Sequence, residues 1–249
     1  MTAAPALRIH LCGPLVVERD GRRLDQNLPG RQGEVVFAYL ACNRHRPVGR
    51  DELIGAIWPE PPAAADSARS ALVSQLRRVL GGDAVDGRST LKMRLDDAWV
   101  DVEAAVEAIH RAESAVAQAD WRRAWGPCLT ALFVAQCDFL PGEDAPWIDD
   151  VRHELNELEL RALEAYGGAS LGIGGAELAA ARRAGRELVR VAPLRETGYR
   201  LLMETLAQEG NGAGALRVYD SLCRTLRDQI GVAPSEATRE LHAQLLRAQ

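Results

Sequence analysis

The stretch Ser67-Ala68-Arg69-Ser70-Ala71-Leu72-Val73-Ser74-Gln75-Leu76-Arg77-Arg78-Val79-Leu80 decides how the chain is read. At 100° per residue, Ala68, Leu72, Leu76 and Val79 fall in one narrow arc, the spacing of a helix buried along one side. The opposite arc carries Ser67, Ser70, Ser74, Arg77 and Arg78. Asp66 can accept from the free N–H groups at the helix start, and Gly81-Gly82 lets the chain leave in a left-handed conformation. Small hydroxyls allow close approach to a phosphate-lined groove, and arginine forks suit guanine edges or phosphates. The same residues also suit an ordinary surface helix with solvated charges. The flanking elements decide between the two.

Before this helix, Leu53, Ile54 and Ile57 form a short apolar helix that opens on Arg50-Asp51-Glu52, with acids at its positive end, and stops at Trp58-Pro59. Residues 59–66 connect the two. After it, the chain turns at Asp86-Gly87-Arg88, and Leu91, Met93 and Leu95 alternate with Lys92 and Arg94, as in a strand with one basic outer face. Arg88 sits at the hairpin tip, either as a solvated turn residue or poised for a minor groove or phosphate. Farther out, the pattern after Pro29-Gly30 has Val35, Val36, Tyr39 and Leu40 on one side of an earlier helix that ends near Asn43. Short strands are expected over Leu7 to Leu11 and Leu15 to Val17, with a hairpin turn at Asp20-Gly21. Two helices joined by a bend and followed by a hairpin are the parts of a winged helix-turn-helix.

From Val102 onward the chain reads as helix throughout, with helices near 102–118, 121–136, 147–170, 176–191, 195–209, 213–229 and 235–247. Ala181 and Ala215 are 34 residues apart, each early in the second helix of a pair. Tyr199, Leu202, Leu206, Gly210, Ala215 and Tyr219 match the sizes expected of a tetratricopeptide unit, although Met203 replaces the expected glycine. The expected fold is therefore mainly α with an α+β N-terminal part: a winged helix-turn-helix domain over 1–100 and an all-α tetratricopeptide-like array over 101–249. Such arrays bind partners more often than they catalyse.

Charge supports the division. Residues 1–100 hold 14 basic and 12 acidic side chains, net +2, while residues 101–249 hold 16 and 23, net −7. The five cysteines are scattered without a Cys-x-x-Cys, so free thiols are expected rather than disulfides or a zinc site. No run of about 18 apolar residues and no signal-peptide layout occurs, so a cytoplasmic, nucleoid-associated protein is expected. For an enzyme, His153 with Glu157 lacks a third ligand or a nucleophile, and Gly172, Gly174 and Gly175 follow a helix where a dinucleotide site requires a strand. No enzyme, cofactor or metal is expected.

These motifs in this order resemble the Streptomyces antibiotic regulatory protein family, an OmpR-type winged helix joined to a bacterial transcriptional activator domain. The front match runs through Leu7-Arg8-Ile9 with Gly13, Arg31-Gln32, Leu53-Ile54 to Trp58-Pro59, and residues 72–80; Val100-Asp101-Val102 marks the junction. The rear match runs through Phe139-Leu140-Pro141-Gly142 with Trp147, Pro193-Leu194-Arg195-Glu196, Leu201-Leu202-Met203, Ala215-Leu216 with Tyr219, and Ile230 to Ser235. The wing departs from the family, with Ser89-Thr90-Leu91 where a Gly-Tyr pair is usual.

The resemblance implies a DNA-binding transcriptional regulator, usually an activator of biosynthetic or regulatory genes. It would bind direct repeats of double-stranded DNA, self-associate there, and recruit RNA polymerase through its sigma and alpha subunits. Base or phosphate contact is carried to Ser70, Ser74, Arg77 and Arg78, with Arg69 flanking and Arg88, Lys92 and Arg94 from the wing. Polymerase contact is carried to the connecting loop, at Glu60 and Asp66. The sequence ends soon after the activator domain, so signal input is expected to reach these two domains or to act through expression. The alternative is a protein-interaction or ligand-sensing adaptor whose winged helix does not bind DNA.

Overall fold

The computed structural model describes residues 7–95 and 97–248. They form a mainly α protein with a small β component, as expected, and two compact units. The first unit runs to Ala104 and takes in Cys137–Leu155; the second comprises Ala105–Gln136 and the chain from Asn156 onward.

In the first unit, β1 (Leu7–His10), β2 (Val16–Arg19), β3 (Arg22–Arg23) and β7 (Ala98–Val100) make a sheet of order β3-β2-β1-β7. The two residues Asp20 and Gly21 link β2 to β3 with φ of 51° and 79°. Positive φ at both centres is the hairpin turn that an Asp-Gly pair favours. β7 lies parallel to β1, pairing Leu7 with Ala98 and Ile9 with Val100. Helix α1 (Gly30–Cys42) is buried almost all round from Val35 to Ala41. β4 (Val48–Gly49) leads straight into α2 (Arg50–Ile57), where Glu52 accepts from the Gly49 N–H at 3.2 Å and from the Tyr39 hydroxyl at 2.7 Å.

Helix α3 (Ala65–Leu80) starts two residues before the expected Ser67. Asp66 does not cap it: the residue lies in the first turn and pairs with Arg50 of α2. The wing is a second sheet, order β4-β6-β5, with β5 (Val85–Asp86) and β6 (Thr90–Met93). Leu53, Leu72, Leu76 and Leu80 share one core with Phe37, Leu40 and Met93.

That core also takes in Phe139, Leu140, Ile148 and Leu155. The Leu140 N–H donates to Leu11 at 3.0 Å and the Gly13 N–H to Asp138 at 2.7 Å. Trp147, early in α6 (Pro146–Ile173), donates its indole N–H to the Ala56 carbonyl at 3.0 Å and meets Tyr39 and Phe139 edge-on.

The second unit takes most of α4 (Asp101–Ala117), then α5 (Trp121–Ala135), the rest of α6, α7 (Leu178–Val191), α8 (Glu196–Gln208), α9 (Gly212–Ile230) and α10 (Glu236–Arg247). Helices α7 and α8 approach closely because Gly185 and Gly198 lie between them: a Cβ on Gly185 would meet Leu202 at 2.8 Å, and one on Gly198 would meet Leu188 at 2.7 Å. Met203, in the place of the expected glycine, is fully buried. Glu196 at the start of α8 accepts from the Ser235 N–H at 2.9 Å and from the Ser235 hydroxyl at 2.6 Å, which ties in α10. Among the described residues no helix is long and apolar enough to cross a membrane. Cys12, Cys42, Cys128 and Cys223 are free thiols, and burial pushes Cys42 and Cys128 up to about 12.

Two stability predictions follow from the first unit. Asp101 is buried and accepts from the N–H groups of Leu11, Cys12 and Val102 at 2.8, 2.9 and 2.8 Å. Asp101→Ala should cost about 3 kcal/mol in urea denaturation, because two strand-end amides lose their acceptor. Asp101→Asn keeps an acceptor without a buried charge and should cost less. The hydrogen bond from Arg46, with help from Tyr39 and Gly49, lowers Glu52 from 4.5 to about 2. Its contribution is then full above pH 4.5 and is lost as pH falls towards about 2. A Glu52→Gln variant should show a flatter acid limb in that window.

Candidate nucleic-acid interface

The side of α3 turned to solvent carries Ser67, Ser70, Ala71, Ser74, Gln75 and Arg78. The buried side holds Ala65, Arg69, Leu72, Val73, Leu76 and Leu80, while Ala68 and Val79 are only half-buried. The apolar arc is therefore wider than the one read from Ala68, Leu72, Leu76 and Val79, and it is turned towards Val73 and Leu80.

Arg69 is corrected by that rotation. It is 8% exposed, and its Nε has no hydrogen-bond partner among the described residues. Burial and the neighbouring charge of Arg50 pull its pKa down, although a guanidinium stays charged at neutral pH. It is a buried residue of the helix and not part of the exposed face. Ala71 and Gln75 belong to that face and were not singled out in the sequence. On the helical wheel they extend the arc of Ser67, Ser74 and Arg78 on the Arg78 side, which was the available signal. A glutamine amide there matches the donor and acceptor pair on an adenine edge.

Arg77 is turned away from the open face. Its Nε donates to the Val85 carbonyl at 2.9 Å and its Nη2 to the Gly87 carbonyl, so it braces the wing from below. Arg94 pairs with Asp86 across the hairpin, which lowers the carboxyl of Asp86. Arg88 and Lys92 are exposed. Within the front unit, a cleft of about 580 Å³ separates the end of α3 from the wing; Arg77, Arg88 and Arg94 line it together with Asp83 and Asp86. The Ser74 hydroxyl donates to the Ser70 carbonyl at 2.8 Å, and Ser74 is exposed. Glu60 is exposed in the connecting loop, and Asp66 is held by Arg50.

Comparison with known proteins places this architecture. Residues 100–246 match the bacterial transcriptional activator domain. This chain belongs to that family. The regulatory protein AfsR of Streptomyces coelicolor is 33% identical over 98% of the chain, and the transcriptional regulatory protein EmbR of Mycobacterium tuberculosis is 28% identical over 100% of the chain. The structure of Mycobacterium tuberculosis EmbR in complex with a low-affinity phosphopeptide superposes with a TM-score of 0.85 at 27% identity, covering 98% of the chain. The chain spans 24% of AfsR, 65% of EmbR and 66% of the EmbR chain in that complex. The resemblance to the Streptomyces antibiotic regulatory protein family is borne out, and both named relatives are described as regulatory proteins.

The wing turn makes one position exacting. Gly87 has φ of +93°, and a Cβ there would lie 1.9 Å from the Thr90 carbonyl oxygen. Gly87→Ala should destabilise the unit by about 1–3 kcal/mol. It should also speed amide hydrogen exchange across residues 85–93 more than in α1.

Proposed function

We propose that the chain is a sequence-specific DNA-binding transcriptional regulator, an activator that recruits RNA polymerase at promoters of biosynthetic or regulatory genes. The observation that carries this reading is the open face of α3. It combines small hydroxyls at Ser70 and Ser74, the Gln75 amide and the Arg78 fork on a helix whose opposite side is buried. Inserted in a major groove, Arg78 and Gln75 would read base edges, while Ser70 and Ser74 allow close approach. Arg88 and Lys92 would meet flanking phosphates from the wing. Arg77 acts through the wing by holding Val85 and Gly87 against the helix, and Arg94 does so through Asp86. The front 100 residues then form the DNA-binding domain, and residues 101–249 the activator domain. Tandem binding to direct repeats with self-association on DNA, and polymerase contact from the 59–66 loop through Glu60, belong to the same reading.

The second reading, an adaptor whose winged helix leaves DNA alone, draws on one observation. Arg69 is buried and Arg77 and Arg94 are engaged within the unit, which leaves Arg78, Arg88 and Lys92 as the outward cations of this surface.

Electrophoretic shift of the gene's own upstream DNA at two salt concentrations separates the readings; no shift at either concentration removes DNA from the argument. Arg78→Ala should weaken binding and, where a phosphate contact is lost, flatten the slope of log K against log salt by roughly 0.9. Arg77→Ala with Arg78→Ala should abolish the shift while helical circular dichroism is unchanged. Arg77→Ala alone should act through a loosened hairpin, visible as faster exchange at residues 85–87.

A further inference from the structure

The second unit has a surface that DNA recognition does not use. Helix α5 buries Ala124, Cys128, Ala131 and Ala135. On its other side Trp125, Leu129 and Phe133 recur every four residues and stand 38%, 38% and 77% exposed. At helical spacing they form one apolar stripe, with Leu132 and Gln136 at its end. Tyr166 of α6 extends it, its ring 6.2 Å from that of Trp125.

Helix α7 walls the same surface with positive charge. A groove of about 480 Å³ has Leu132, Leu163 and Tyr166 in its apolar lining and Arg183, Arg186, Arg190 and Glu187 as its charged lining. Helix α7 carries four arginines and one glutamate, although residues 101–249 are net −7. Glu187 pairs with Arg190. Arg183 and Arg186 are exposed and have no carboxylate partner among the described residues. Apolar stripes of this kind on soluble proteins mark interaction sites.

We propose that this groove docks an acidic amphipathic helix from a partner protein. Charge spacing selects the occupant. Arg183 and Arg186, the two without a carboxylate partner among the described residues, stand three residues apart, a spacing at which carboxylates recur along one face of a second helix. The stripe from Trp125 to Phe133 covers about 12 Å, two helical turns, and so offers anchor positions for apolar side chains at i, i+4 and i+7. Carboxylates on one flank of the ligand helix meet Arg183 and Arg186 while its leucines cover the stripe. The inference is independent of DNA binding, and a chain that fails to shift DNA leaves it standing.

The test uses the full chain and a fluorescein-labelled synthetic peptide of about four helical turns, with leucine at helical spacing and glutamate elsewhere, followed by fluorescence anisotropy. Saturable binding is expected, weakened by salt and by roughly tenfold or more in Arg183→Glu with Arg186→Glu, and likewise in Leu129→Ser with Phe133→Ser. Both variants should keep the helical circular dichroism and any promoter shift of the parent. Equal binding of a peptide of the same composition with scrambled order overturns the proposal, as does undiminished binding by the folded charge-reversed variant or no saturable binding by the parent. A dimer in sedimentation velocity that Phe133→Ser dissociates would make the occupant a second copy of the chain and would also overturn it.

Discussion

The front unit depends on one buried carboxylate. Asp101 accepts from the main-chain N–H groups of Leu11 and Cys12 at the end of β1 and from its own neighbour Val102 at the start of α4. Burial pushes its pKa up, and the three amides oppose that shift in part. The partners lie about 90 residues apart in sequence, and β1 runs parallel to β7, which ends immediately before Asp101. Parallel strands need a long crossover. Here the crossover contains α1, α2, α3 and the wing, so the contact at Asp101 closes the loop that carries the helix-turn-helix. A loop of that length has a large closure entropy to overcome, and the hydrogen bonds of a buried carboxylate are among the stronger ones available for it.

The same strand end receives a second segment. Leu140 donates to Leu11, Cys12 bridges Phe139, and Arg152 donates to the carbonyls of Phe139, Leu140 and Glu143. Trp147 then reaches the last turn of α2 through Ala56. Residues that match the activator domain family thus build part of the core under the helix-turn-helix. The carbonyl of Ala56 is one of the unpaired groups at a helix end, and the indole N–H satisfies it. Helix α2 is fixed at one end by Glu52 and at the other by Trp147, so the pose of α3 follows from contacts on both sides of residue 100.

Arginine serves two purposes on the candidate interface. Arg77 and Arg94 stiffen the wing through Val85, Gly87 and Asp86, whereas Arg78 and Arg88 face outward. The planar guanidinium suits both tasks, because its fork can hold two carbonyls or two acceptors on a base. A braced wing presents Arg88 and Lys92 from a defined hairpin rather than from a loose loop. With a net charge of only +2 over residues 1–100, such ordering has more to contribute than bulk attraction.

Local chemistry made most of the fold legible in the sequence. The Asp20-Gly21 turn, the stop at Trp58-Pro59, the alternation from Leu91 to Leu95 and the helices from Asp101 onward follow from backbone preferences and hydrophobic period, which act over a few residues. The motifs from Leu53 to Leu80 and from Phe139 to Ser235 were enough for the family resemblance. The phase of α3 needed the rest of the molecule. A hydrophobic period identifies a buried stripe but not its edges; α1, α2 and β5 lie against α3, and in that packing Arg69 is buried while Ala71 and Gln75 stay open. Whether Arg77 met solvent or the carbonyls of Val85 and Gly87 depended on where the wing folded back, a contact eight to ten residues away that no helical wheel contains. The joining of residues 137–155 to the first unit was hidden for the same reason: burial by a distant segment leaves the same local pattern as burial by a neighbour, and only tertiary packing distinguishes the two.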